Sequence, residues 1–166
     1  MLRLKLTSLS PEEIEKKIVY IQKQWAKSIV DIGKAYKNKK NYLHITDKFL
    51  DKLYAFQEGK VLFKPTKATF KQFRKNKNEF ISYFIGYKKV SKEDKGFALE
   101  PWKSISFENF ETLYFEKFLI SMGNYFFTDY QNKKIQVEYT FGYVLDKANN
   151  LKIIFHHSSI PYNLED

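Results

Sequence analysis

The sequence predicts an α+β domain in which leading helices pack on one face of a following antiparallel sheet. Two observations come from the first third of the chain. Apolar residues recur at spacings of three and four from Ile14 to Tyr36, and a shorter run of the same kind spans Leu43 to Tyr54. The third is a change of period, because from Gly96 onward the chain alternates, with β-branched and aromatic segments separated by polar turns. The 166 residues, 43% of them hydrophobic, suffice for one core, so the whole chain, 1–166, reads as a single domain.

Residues 1–9 read as a frayed end or a short edge segment. Ser10-Pro11-Glu12-Glu13 is a helix start: Ser10 at the N-cap, Pro11 at the first helical position and Glu13 closing a capping box. Ile14, Ile18, Ile21, Trp25, Ile29, Ile32 and Tyr36 place one apolar stripe on this helix, which ends in the lysine-rich turn after Lys37. Leu43, Thr46, Phe49, Leu50, Leu53 and Tyr54 predict a second helix closed by Gly59. Val61 to Thr66 is a short strand that Pro65 must end or hold at an edge, which delivers Thr66 at a strand end. Thr69 to Arg74 is expected to return as a strand, and Glu79 to Ile85 as a short helix stopped at Gly86. Lys88 to Lys95 is a charged loop. Strands are then expected at 104–107, 113–128, 136–145 and 151–159, with Asp129-Tyr-Gln-Asn132 and Asp146-Lys-Ala-Asn-Asn150 as hairpin links.

Composition limits the chemistry. A formal charge of +10 raises nucleic acid or an anionic membrane as partners, yet only Arg3 and Arg74 could make bidentate contacts and the lysines are spread among acids. A solvated lysine surface that could attract a small anion is the expectation, with neither nucleic acid nor membrane as partner. No run reaches the roughly 18 apolar residues of a membrane helix, and a cytoplasmic location is expected unless a leader precedes the chain. The absence of cysteine removes disulfides, thiolate metal sites and cysteine nucleophiles.

Chemistry concentrates in the last strand, Leu151 to Ser159. If it alternates throughout, Ile153, Phe155, His157 and Ser159 share one face, and Lys152, Ile154, His156 and Ser158 the other. The two adjacent histidines then face opposite ways, while His44 stands at a helix start with no second ligand three or four residues on. A catalytic zinc needs about three converging ligands. No such set is visible, so neither metal nor other cofactor is expected.

Several blocks carry a resemblance: Trp25 with Ile32-Gly33, Val61-Leu-Phe-Lys-Pro-Thr-Lys-Ala68, Gln72-Phe-Arg74, Ser82-Tyr-Phe-Ile-Gly86, Lys95-Gly-Phe-Ala98 with Pro101-Trp102, Met122-Gly-Asn-Tyr-Phe-Phe-Thr128, Val137-Glu-Tyr-Thr-Phe-Gly-Tyr143 and His156-His-Ser-Ser-Ile-Pro-Tyr162. Together they resemble the iota-class carbonic anhydrases, which are built on a domain similar to the association domain of calcium/calmodulin-dependent protein kinase II, within the cone-shaped nuclear-transport-factor-like superfamily. The match runs from Trp25 to Tyr162. It departs at Tyr87, where a small residue is expected, and in the lysine-rich loop 88–95, which alters the rim.

The resemblance implies reversible hydration of carbon dioxide without a metal, by a homodimer. It implies that the hydroxyls of Thr66, Tyr83 and Ser158 hold water or bicarbonate, with carbon dioxide among neighbouring apolar side chains and with His156, His157, Ser159 and Arg74 binding substrate or supporting the site. An ordinary tyrosine pKa near 10 leaves no obvious base. Either a depressed pKa at Tyr83 or a proton relay through His156 or His157 is needed. Plainer readings stand beside these: Tyr83 as a core aromatic, Thr66 and Ser158 as caps of strand ends, and Arg74 paired with a carboxylate such as Glu138. The alternative function is a non-catalytic pocket or assembly domain like that of the kinase.

Overall fold

The computed structural model describes residues 6–163. The first five residues of the segment expected to fray lie outside them; Leu6–Ser8 forms a single 3₁₀ turn. Helix α1, Pro11–Lys37, starts at the predicted capping box: Ser10 Oγ accepts from the Glu13 N–H, and Glu13 accepts from the Ser10 N–H at 2.7 Å. Its stripe from Ile14 to Ile32 is buried, whereas Tyr36 leaves the core and packs edge-on against Tyr42. Helix α2, Tyr42–Leu53, is capped by Asn41, which accepts from the His44 N–H; His44 thus sits in the first turn as expected. It ends at Leu53 rather than at Gly59. Tyr54 bridges to Ile153 and the Ala55 N–H donates to the Ile153 carbonyl at 2.9 Å, so the sheet takes over the backbone before the glycine is reached.

Strand β1, Leu62–Lys64, is followed by α3, Lys77–Ile85, which Gly86 terminates in the left-handed conformation (φ 65°) that a Cβ would disfavour. The intervening residues 69–74 do not form the predicted strand. Only Arg74 pairs, with Phe63, and the N–H groups of Thr69, Phe70 and Lys71 are taken by a carboxylate described below. A 3₁₀ turn at Phe97–Leu99 leads into β2, Trp102–Tyr114, then β3, Leu119–Asp129, β4, Lys134–Leu145, and β5, Leu151–Ser159. The expected single strand 113–128 is therefore a hairpin, folded where Phe115 and Phe118 stack at 4.4 Å and the Phe115 N–H donates to the Phe118 carbonyl.

The sheet order is β1-β5-β4-β3-β2. Strands β2 to β5 are antiparallel neighbours, as predicted, but β1 joins parallel to β5, with Phe63 beside His156 and Lys64 beside His157. The sheet is thus mixed. Bulges interrupt β2 between Asn109 and Glu111 and β5 at Ile154, opposite the Gly142–Tyr143 step of β4, and bulges of this kind bend and twist a strand. At the first of them a Cβ on Gly123 would stand 2.2 Å from the Glu108 carbonyl oxygen, so glycine lets the two backbones approach there. The concave side receives α1 through Trp25, which meets Phe49, Phe84, Phe107, Tyr125, Phe127, Phe141 and His156 at centroid distances of 5.6 to 6.4 Å.

Candidate active site

Strand β5 presents its chemistry to the concave side because of a bulge of its own. Gly142 pairs with Phe155 and Tyr143 with Ile153, so Ile154 is passed over and the alternation slips by one residue. Ile153 is consequently buried on the same side as His156 and Ser158, not with His157 as uninterrupted alternation predicts. The two histidines do face opposite ways. His156 is buried against Phe63 (4.4 Å between centroids) and Phe141 (4.3 Å), whereas His157 and Ser159 border an outer groove with Phe110, Met122 and Glu138.

Around His156 a hydrogen-bonded group spans four elements. The Trp25 indole N–H of α1 donates to the Tyr54 hydroxyl at 2.9 Å, and that hydroxyl lies 2.9 Å from His156 Nδ1. On the other side of the ring, His156 Nε2 is 3.4 Å from both the Tyr125 hydroxyl of β3 and the Ser158 hydroxyl. Thr66, half-buried one residue beyond Pro65, flanks Tyr125 together with Ser158. Tyr83 on α3 meets the other edge of Phe63 at 5.3 Å, and its oxygen accepts from the Lys67 N–H at 3.4 Å, next to Thr66. The structure therefore gathers Thr66, Ser158 and His156 around Tyr125. It sets Tyr83 beside them, where its ring lines a groove of about 370 Å³ with Lys67, Thr69, Glu93, Phe97 and Glu100.

Electrostatically the group is neutral. Burial pushes the phenols of Tyr83, Tyr125 and Tyr54 above their ordinary range, the opposite direction to the depressed pKa considered for Tyr83. Burial also holds His156 well below the ordinary imidazole value, with His157 adding to the effect. A group protonated more readily when unfolded destabilises the fold as pH falls, so stability should decline below about pH 6.5, by at most about 1.4 kcal/mol per pH unit for one such group. Urea midpoints compared at pH 7 and 5.2, above the carboxylate range, check this. His156→Gln should remove most of the decline, leaving only a share from half-buried His157, which is lowered in the same direction.

Arg74 does not border the hydroxyl group. Its guanidinium is fully buried in a bidentate pair with Asp94 (2.7 and 2.8 Å), which also accepts from Ser82. The expected partner Glu138 instead accepts from Ser159 at 2.8 Å, on the opposite face. Beside the pair, Glu93 accepts the N–H groups of Thr69, Phe70 and Lys71, and these bonds hold its carboxyl down at about 2. Two adjacent acids thereby pin the loop that follows Thr66. Among the described residues no group of three or more His, Asp or Glu side chains gathers as a metal site would require.

Residues 16–160 match the family model for metal-independent carbonic anhydrases. The chain belongs to that family. It is 36% identical, over 89% of its length and 74% of the relative's, to a metal-independent carbonic anhydrase of Nostoc sp. strain PCC 7120. Its fold matches the crystal structure of a cyanobacterial iota-carbonic anhydrase complexed with bicarbonate at a TM-score of 0.85 and 35% identity, covering 90% of this chain and 93% of that one. A putative calcium/calmodulin-dependent protein kinase II association domain from Xanthomonas campestris shares the fold alone, with a TM-score of 0.57, 21% identity and coverage of 88% and 87%.

Within this metal-independent carbonic anhydrase the residues that sequence reasoning missed are Tyr54, Tyr125 and Trp25 in their polar roles. Tyr54 was absorbed in the apolar pattern of α2 and Tyr125 in that of a strand. Among 12 tyrosines and 16 phenylalanines nothing in the sequence marks which phenols meet an imidazole. Three-dimensional pairing supplies that, since Tyr54 bridges to Ile153 of β5 and Tyr125 comes from β3, two strands from His156.

Proposed function

We propose that the chain hydrates carbon dioxide reversibly without a metal, at the hydroxyls of Thr66, Tyr83 and Ser158 together with Tyr125. Family membership supports the reaction, and the observation that carries the site is the convergence of uncharged donors on a buried, neutral His156. The bicarbonate in the cyanobacterial relative is an anion, and such a donor set suits an anion better than a neutral gas. Carbon dioxide is placed against the apolar edges of Phe63, Phe97 and Phe127, and water on the hydroxyls. The water oxygen bonds to carbon, one carbon–oxygen π pair moves onto oxygen and meets the O–H donors, and the proton passes to solvent through the groove that Tyr83 borders. Fixing the two reactants in attack geometry lowers the entropic part of the barrier. Depletion of ¹⁸O from labelled carbon dioxide, followed by mass spectrometry, tests the reading: exchange above the uncatalysed rate supports it, and exchange at that rate contradicts it.

A homodimer formed through the convex face, and a cytoplasmic location, complete the proposal. Register aligns Leu113, Ile120, Gly142, Phe155 and Leu62 in one row across all five strands, and Leu113, Phe155 and Leu62 are exposed, as are neighbouring Phe110 and Met122. An apolar row of this extent suits a two-fold partner. Sedimentation at micromolar concentration should give the mass of two chains, and Leu113→Glu that of one. A wild-type monomer contradicts the dimer.

A further inference from the structure

The partners of His156 fix its tautomer. An indole nitrogen only donates, so the 2.9 Å contact makes the Tyr54 oxygen an acceptor from Trp25. The Tyr54 proton must then go elsewhere, and His156 Nδ1, 2.9 Å away, is the acceptor within reach in a site where both residues are almost wholly buried. An imidazole that accepts at Nδ1 and is neutral carries its proton at Nε2. That N–H lies between two oxygens, Tyr125 and Ser158, each at 3.4 Å.

We infer that Trp25 and Tyr54 are positioning residues for the proposed hydration site: through them His156 is held as an Nε2–H donor, so it orients hydroxyls rather than removing a proton from water. The consequence runs outward along the chain of bonds. Tyr125 and Ser158, each offering a lone pair to the imidazole N–H, are left to direct their own protons toward Thr66 and the reacting oxygens. Five side chains, starting from a helix-borne indole, thus set the polarity of the Tyr125 and Ser158 hydroxyls that face the substrate. A histidine in the opposite tautomer would reverse that polarity and turn a proton of Ser158 or Tyr125 inward. The groups packed around the ring are Trp25, Tyr54, Phe63, Tyr125, Phe141 and Ser158, and none of them is an acid that could favour the imidazolium.

The inference rests on the hydration reading for its consequence, but the tautomer can be read without any activity. Long-range ¹H–¹⁵N spectra of histidine-labelled protein, with His156 assigned by its loss in His156→Gln, distinguish a protonated from a bare ring nitrogen. The expected result is a protonated Nε2 and a bare Nδ1, unchanged from pH 6 to 8. Protonation at Nδ1 in the wild type overturns the inference whatever the activity. Tyr54→Phe removes the donor to Nδ1 while keeping the ring, and should mix the two tautomers and lower kcat roughly tenfold with KM little changed, the usual cost of releasing a group that orients a histidine. A folded Tyr54→Phe protein with an unmixed Nε2–H tautomer and wild-type turnover also overturns it. Wild-type protein that shows Nε2–H yet lacks hydration activity refutes the functional reading and leaves the tautomer assignment standing.

Discussion

Tyr83→Phe and Ser158→Ala should each lower carbon dioxide hydration about a hundredfold, because a preorganised hydroxyl donor contributes about 3 kcal/mol to a developing oxyanion. Both changes remove one hydroxyl and little volume. Tyr83 keeps its ring contacts with Phe63, Phe84 and Phe97, so the packing survives the loss of the oxygen. If these hydroxyls served only the fold, the cost would be about 1 kcal/mol of stability with turnover of the folded protein intact. Stopped-flow rates set beside melting curves separate the two outcomes. The double variant discriminates further, since groups acting on one water are not independent and the pair should fall little below the poorer single change. A product of two hundredfold losses would mean separate sites.

Asp94→Asn should be the most destabilising single substitution at the rim of this site. It strips the bidentate partner from a guanidinium with no exposure, leaving Glu93 at 3.7 Å as the nearest carboxylate. Breaking a buried pair from one side typically costs about 3–5 kcal/mol, since the remaining charge stays desolvated. In a domain of this size each kcal/mol shifts Tm by roughly 2–4 °C, so a fall of about 10 °C is expected in calorimetry. Activity should fall as well, because the loop that carries Thr66 is anchored at Arg74. Arg74→Met combined with Asp94→Asn removes the stranded charge and should recover much of the lost stability. An Asp94→Asn protein melting within 2 °C of wild type would show that Glu93 alone can hold the arginine.

Local signals explain which parts of this arrangement were legible in the sequence. The start of α1 followed from Ser10, Pro11 and Glu13, whose capping chemistry needs only a few neighbouring residues, and β5 from the unbroken run Leu151 to Ser159. The opposed histidines followed from strand period alone. What escaped depended on pairing between distant segments. The parallel addition of β1 beside β5, the hairpin that divides 113–128, and the slip at Ile154 are set by register, which a single strand does not encode. Residues 69–74 are expected to return as a strand, yet Glu93, about 20 positions away, takes the backbone donors of Thr69, Phe70 and Lys71. The same distance effect hid Asp94 as the partner of Arg74. Thr66, Tyr83 and Ser158 were reached through resemblance, whereas Tyr54 and Tyr125 became visible only once the fold set their hydroxyls on either side of one imidazole.

Direct measurement of carbon dioxide hydration by metal-stripped protein bears most closely on the central claim. Wild-type protein dialysed exhaustively against a chelator, with its metal content determined, would be mixed with carbon dioxide in a stopped-flow pH-indicator assay. Hydration above the uncatalysed rate, unchanged by the dialysis and by added zinc or manganese, is the predicted result. Activity lost on chelation and restored by either metal would contradict it.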